Sequence, residues 1–278
     1  MSVCGVQPGD PVSCGELTWR RALHRVICDG APASPRGQDT VELLAHVVSV
    51  DLARAVVTTP ARKLNYKFMC AEALWILDGD DALAPLTRFV KRMADFSDDG
   101  VRLAGAYGPR LVPQINYVVD ALVGDRDTRQ AAATIWTPTP AKSKDIPCTL
   151  AVTFNVRRGQ LHQHVYMRSS DLWLGLPYDM FSFSCWGIRI ACAVNSRRAA
   201  AATHAGPIGL GSLTVVATSS HLYDRDRAAA QAVLNTVPSA PIPPCPAALV
   251  AAGDWDAIRD DLVRQREGEA PMWWPVTP

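Results

Sequence analysis

Arg168-Ser169-Ser170-Asp171-Leu172-Trp173-Leu174-Gly175-Leu176-Pro177-Tyr178-Asp179 is the stretch on which the reading of this chain turns. An arginine followed by two hydroxyls and a carboxylate can hold a phosphate through a guanidinium fork and serine O–H groups. Taken alone, the string describes an exposed strand end equally well. Upstream stands Pro147-Cys148-Thr149, at the mouth of a β-prone run. A thiol becomes a useful nucleophile only when its pKa, about 8.5 when free, is lowered by nearby positive charge. Arg168 is the candidate for that charge.

Working outward, the 278 residues carry 48% apolar side chains and a net charge of +1. That is enough apolar surface for one sizeable core and too little charge for general nucleic-acid binding, so any anion site is local. Every long apolar segment is broken before the roughly 18 residues a membrane span needs. Residues 1–20 lack a basic patch followed by an apolar run, and the expectation is a cytoplasmic protein without membrane or nucleic-acid partners. None of the eight cysteines forms a CxxC pair, so reduced thiols are expected rather than disulfides or zinc. His162 and His164 alternate on one strand face without an evident third ligand, and no metal site is expected.

Apolar spacing predicts helices over 15–29, 65–77, 115–122, 180–194, 228–234 and 255–266. Short β-prone runs fall at 131–136, 149–156, 161–167 and 213–218, and residues 40–57 can supply further strands. Arg157-Arg158-Gly159-Gln160 reads as a hairpin turn, and the proline-rich stretch 237–246 as a surface segment. One α+β domain over 1–278 is the expectation, with 1–14 and 237–278 as variable terminal segments.

The quoted stretch resembles the thymidylate synthase motif R-S-x-D-x-x-L-G-x-P-[FY]-N at every position but the last, and matches in that family's order run over residues 30–230. Arg36 lies in a turn-rich loop like the phosphate loop. Glu72 in Ala71-Glu72-Ala73-Leu74-Trp75 matches the helix glutamate, with Leu77-Asp78-Gly79-Asp80 after it. Tyr107-Gly108, Asp127-Thr128-Arg129 and Trp136 match further positions; Cys148 takes the nucleophile's place and His221-Leu222-Tyr223 the H-x-Y that holds the sugar. The resemblance implies a large mixed β-sheet flanked by helices, paired back to back in a homodimer. It also implies a nucleotide substrate and 5,10-methylenetetrahydrofolate as cofactor.

The departures carry the finer expectation. Asp179 stands where the family has asparagine. An amide offers a donor and an acceptor to uracil O4 and N3–H, whereas a carboxylate accepts from the N4 amino group of cytosine. Thr149 replaces a histidine, and Ser219-Ser220 replaces the G-D before the H-x-Y. In both places the chain is similar to the cytidylate hydroxymethylase branch. Met93 falls where methyl-forming members carry a tryptophan that shields the exocyclic methylene from water.

The resemblance thus implies hydroxymethyl transfer to dCMP or CMP, with Cys148, Glu72, Tyr107 and Asp179 catalytic. By the same resemblance Arg36, Arg168, Ser169, Asp179, His221 and Tyr223 are expected to bind the nucleotide, joined by Arg129 from a second subunit, although Gln130 replaces the next arginine. Asp171, Glu72 and Met93 are expected, on the same resemblance, to face the folate. Methylation of dUMP, hydroxymethylation of uridylate and a silent nucleotide-binding homologue stay open. So does the pathway, a modified DNA precursor or a nucleoside antibiotic. The tail Met272-Trp273-Trp274-Pro275 either closes over the site or docks as an aromatic end.

Overall fold

Leu17, Ala22, Leu23, Val26 and Ile27 do recur on a helix, α1 (Gly15–Asp29), which buries Trp19, Ala22, Leu23 and Val26. The structure, a computed structural model, describes residues 12–139, 142–201 and 206–270. The chain continues through β1 (Ala31–Ala33) and β2 (Thr40–Asp51) to α2 (Tyr66–Leu77). Asn65 starts α2 by accepting from the Phe68 N–H at 3.0 Å, the usual role of an amide at a helix N-cap. Short helices α3 (Ala84–Thr87) and α4 (Gly108–Leu111) flank a 3-10 segment at Lys91–Phe96. Then follow α5 (Ile115–Gly124), β3 (Ala132–Thr134), β4 (Thr149–Arg157), β5 (Gln160–Met167), β6 (Ser170–Asp171) and α6 (Leu176–Ala200). The chain completes its described fold with β7 (Gly209–Tyr223), α7 (Asp224–Leu234), α8 (Ala247–Ala252) and α9 (Trp255–Glu267).

The strands form one mixed sheet in the order β1-β2-β7-β5-β4-β3, and β6 pairs with β7 beyond the end of β5. β7 runs parallel to β5 and β6, and the other neighbours are antiparallel. Val152, Phe154, Val165, Met167, Val215 and Ala217 on the inner face are all buried, in one core with α6, α2 and α1. The opposite face leaves Leu44, Val47 and Tyr166 exposed, Leu44 at 70%. This is the mixed sheet flanked by helices that the resemblance implies. No described helix is long and apolar enough to cross a membrane.

Some boundaries move. α6 starts at Leu176 rather than 180 because Pro177, with its fixed φ and missing N–H, suits a first helical turn. It ends only at Ala200, with Arg197 and Arg198 held by Asp120 and the Leu122 carbonyl. β7 extends well past 213–218, since Ser219 and Ser220 stay in register opposite Leu44 and Leu43. Residues 40–57 give one long strand, β2, and then loop. Residues 237–246 have no regular structure but bury Ile242 and Cys245, and α8 was not foreseen. The tail 272–275 lies outside the described residues.

Two charged side chains are buried where α1 meets the loop before α2. Glu16 Oε2 accepts from Thr58 and Thr59 N–H at 3.0 Å each, and Glu16 Oε1 lies 3.5 Å from Arg20. Arg20 in turn donates to the Val233 carbonyl at 2.8 Å. Glu16→Ala strands that arginine and two backbone donors away from water. It is expected to lower stability by about 3–5 kcal/mol, read as a shift of the urea midpoint without change in slope.

Candidate active site

Cys148 ends the loop that enters β4, and a β-bulge aims it. Thr149 faces Met167 but Ala151 faces Tyr166, so Leu150 is an extra residue. The Leu150 carbonyl takes the Ile135 and Trp136 N–H groups at 2.9 and 3.0 Å. Bulges of this kind bend a strand and redirect a side chain. Across the gap, β5 and β6 keep one register against β7, with Met167 on Ala217 and Ser170 on Ser220, while Arg168 and Ser169 leave the ladder between them. Arg168 N–H turns to the Cys148 carbonyl at 2.9 Å.

The Arg168 guanidinium grips the loop that carries the thiol. Its Nε donates to the Pro147 carbonyl and its Nη2 to the Ile146 carbonyl, both at 2.9 Å, with Nη2 also 3.8 Å from the Cys148 sulfur. Its Nη1 makes no hydrogen bond to a described residue, which leaves it for an anion.

Four expected catalytic residues and Met93 converge on one cavity of about 160 Å³. Glu72 comes from α2, Met93 from the 3-10 segment, Tyr107 from the start of α4, Cys148 from the β4 entry, and Asp179 from the first turn of α6. Phe183, one turn beyond Asp179, stacks on Tyr107 with ring centroids 5.9 Å apart. Trp75, Leu86 and Leu103 make the remaining wall largely apolar.

The apolar wall sets the protonation states. Burial, and then the charge of Asp179, pushes Glu72 up to about 8. Burial, and then Asp171, pushes Asp179 up to about 7. Burial also raises Tyr107 well above its ordinary value, with Asp179 and Cys148 adding to the effect and Thr149 opposing it. For Cys148 the sequence expectation needs correction. Arg168 does lower the thiol pKa, but burial is the larger effect, and Asp179, Asp145 and Asp171 add to it, so the net shift is upward. The resting thiol is protonated at neutral pH.

Outside the cavity, a polar strip of Ser169, His221, Tyr223 and Arg225 reaches the loop that carries Arg36 and Gln38. Ser169 Oγ lies 3.5 Å from His221 Nδ1, and the His221 ring meets Tyr223 edge-on at 5.1 Å. The Arg225 guanidinium sits 4.0 Å over the Tyr223 ring and donates to Gln38 Oε1 at 2.9 Å. Arg36 is exposed in the same loop with a left-handed φ of 54°, a conformation that costs a non-glycine residue about 1–2 kcal/mol. His221 is depressed by burial, while Asp171 and Glu42 raise it and Arg36 lowers it, so the imidazole is neutral at pH 7. Asp171 Oδ1 takes the Trp173 and Leu174 N–H groups at 2.9 Å each and shapes the turn into α6.

Arg129 stands apart. It is exposed beside the Phe154 end of β4, where Phe154 N–H bonds the Ala131 carbonyl at 2.8 Å. Six residues of strand, about 20 Å, separate that end from Cys148, so the arginine does not reach its own chain's cavity. His162 Nδ1 pairs with Ser212 Oγ at 2.9 Å. Asp145, Ser182 and Phe183 also line the cavity and Arg225 stacks on Tyr223, and sequence reasoning missed all four. Ser182 and Phe183 carried a signal, since they lie three and four residues after Asp179 on one helix face.

The family model described as thymidylate synthase matches residues 18–246. The chain is similar to the deoxyuridylate hydroxymethyltransferase of Bacillus phage SP01, 32% identical over 221 residues, covering 72% of this chain and 55% of that protein. It is also similar to the deoxyuridylate hydroxymethyltransferase of Delftia phage PhiW-14, 34% identical over 135 residues, covering 43% and 38%. The thymidylate synthase of Corynebacterium aurimucosum (strain ATCC 700975 / DSM 44827 / CIP 107346 / CN-1) is 27% identical over 182 residues, covering 61% and 68%. The matched region thus spans about half, or less, of the length of the two hydroxymethyltransferases.

Proposed function

The chain belongs to the thymidylate synthase family, and from that premise we propose that it is a one-carbon transferase that hydroxymethylates C5 of dCMP or CMP through Cys148. The observation that carries the reading is one cavity lined by a thiol, three carboxyls and a tyrosine, namely Cys148, Glu72, Asp145, Asp179 and Tyr107. Asp179 supports the cytosine base, because an acidic group in place of an amide matches an N4 amino donor. Ser169 and Tyr223, the family's usual hydroxyls, are both retained and favour dCMP.

The residues fit the expected cofactor. Asp171 offers an acceptor to the N–H groups of a pterin, and Trp75, Leu86 and Met93 offer an apolar wall for a flat ring. When bound, 5,10-methylenetetrahydrofolate supplies the one-carbon unit. Arg36, Arg168 and Ser169 hold the phosphate, joined by Arg129 of a second copy in a homodimer. His221 and Tyr223 hold the sugar. The Cys148 sulfur loses its proton and adds to C6, which makes C5 electron-rich. Asp179 stabilises the charge that develops along the N3–C4–N4 edge. With the donor bound, C5 takes the one-carbon unit and loses its own hydrogen to solvent as H⁺, and Glu72, protonated at the start, gives its proton to the departing tetrahydrofolate. The Glu72 carboxylate then takes a proton from the water that adds to the exocyclic carbon, with Tyr107 in the same proton network. Met93 leaves that carbon open to water where a large indole would cover it. Expulsion of Cys148 releases the 5-hydroxymethyl nucleotide.

A second reading, hydroxymethylation of dUMP, is favoured by the two phage relatives and by the raised pKa of Asp179, which at neutral pH is partly a neutral acid. Incubation with methylenetetrahydrofolate and each of CMP, dCMP, UMP and dUMP tests both. The expected product is a cytidylate heavier by one CH₂O unit, formed without dihydrofolate. Dihydrofolate appearing with dUMP alone would make the protein a methylating synthase, and no product with any nucleotide would leave a silent homologue.

A further inference from the structure

Asp145, three residues before the nucleophile, lines the cavity beside Cys148 and belongs to no motif. Its Oδ2 accepts the Gly105 N–H at 2.7 Å. The approach is so close that a Cβ at residue 105 would stand 2.8 Å from both the Asp145 carbonyl oxygen and Oδ1. Behind this contact the Asp145 N–H bonds Ser143 Oγ at 3.0 Å, and Asp98 receives both Ser143 Oγ and the Lys144 N–H. Two carboxylates therefore tie the segment that ends in Cys148 to the segment that ends in Tyr107. The Asp145–Gly105 contact lies at the root of both arms, two residues from the tyrosine and three from the thiol.

We infer that Asp145 is a positioning residue for the reaction proposed above: by clasping the Gly105 amide it sets the gap between the Tyr107 hydroxyl and the Cys148 sulfur. Its charge has a separable effect. Arg168, Asp179, Asp145 and Asp171 act on the thiol and Tyr107 is its neighbour, and Asp145 is one of the carboxylates that push it up after burial has done most. Asparagine keeps an oxygen to accept the Gly105 N–H but loses the charge. Alanine loses both.

Two measurements on the full chain separate these effects. The first is turnover, and the second is the pH profile of Cys148 alkylation by iodoacetamide, resolved from the other cysteines by peptide mass. In Asp145→Ala, kcat is expected to fall about 10- to 100-fold while nucleotide KM changes less than about threefold, the signature of misplaced groups. Its limiting alkylation rate should rise as the wall opens. Asp145→Asn should keep kcat within about threefold of wild type and keep the limiting alkylation rate, with the profile moved to lower pH. Wild-type kcat in the alanine variant would overturn the inference, and so would an asparagine variant as impaired as alanine. If the wild type turns over no nucleotide, the functional reading fails on its own, and the limiting alkylation rates still decide the clasp.

Discussion

Cys148→Ala is expected to abolish both tritium release from [5-³H]dCMP or [5-³H]CMP and formation of the hydroxymethyl product, by about 10⁴-fold or more. Exchange at C5 requires C6 to become tetrahedral, and in this cavity the sulfur of Cys148 is the candidate nucleophile for that carbon. Nucleotide binding should survive, because the phosphate and sugar groups are assigned to Arg36, Arg168, Ser169, His221 and Tyr223. Wild-type release should climb as pH rises through the neutral range, since the thiol pKa lies above its ordinary value and more thiolate forms at each step. Tritium release that persists in the alanine variant would end the covalent mechanism, whatever the base preference.

The structure brings residues as distant in sequence as Glu72 and Asp179 to one cavity, and that convergence was legible because motif order is a property of the chain. α1 was legible to the residue, since its apolar period runs to Ile27 and Asp29-Gly30 closes it. β7 was half hidden: Ser219, Ser220 and His221 are polar, and their pairing with β2 rests on backbone bonds that side-chain alternation does not announce. The charge states were not legible at all. Reading Arg168 beside Cys148 gives a lowered thiol pKa, but an apolar wall assembled from α2, α3 and α6 outweighs one guanidinium. Nor does sequence show that Arg168 spends its Nε and Nη2 on the Pro147 and Ile146 carbonyls. Asp145 had no signal, because its significance depends on Gly105 approaching from a separate segment.

Asp179→Asn is expected to move the preference from cytidylate toward uridylate by about 100-fold, measured as the ratio of kcat/KM values, because it exchanges the partner of a buried polar edge. The ionisation of Asp179 adds a pH dependence whose sign follows from its pKa near 7. Below that value the group is a neutral acid with one donor and one acceptor. It then pairs with uracil O4 and N3–H, or with cytosine N3 and N4–H, much as an amide would. Above that value it only accepts: toward uracil it keeps N3–H but faces O4 with repulsion, whereas toward cytosine it accepts from N4–H and again from N3–H once attack at C6 makes that nitrogen basic. The cytidylate-to-uridylate ratio in the wild type should therefore rise between about pH 6 and pH 8. The asparagine variant has no such proton, and its ratio should stay flat over the same range. A wild-type ratio that does not move with pH, or an asparagine variant that still prefers cytidylate, would take base selection away from residue 179. Discrimination would then have to come from the rest of the cavity, where Ser182, one turn along α6, is the next polar side chain to test.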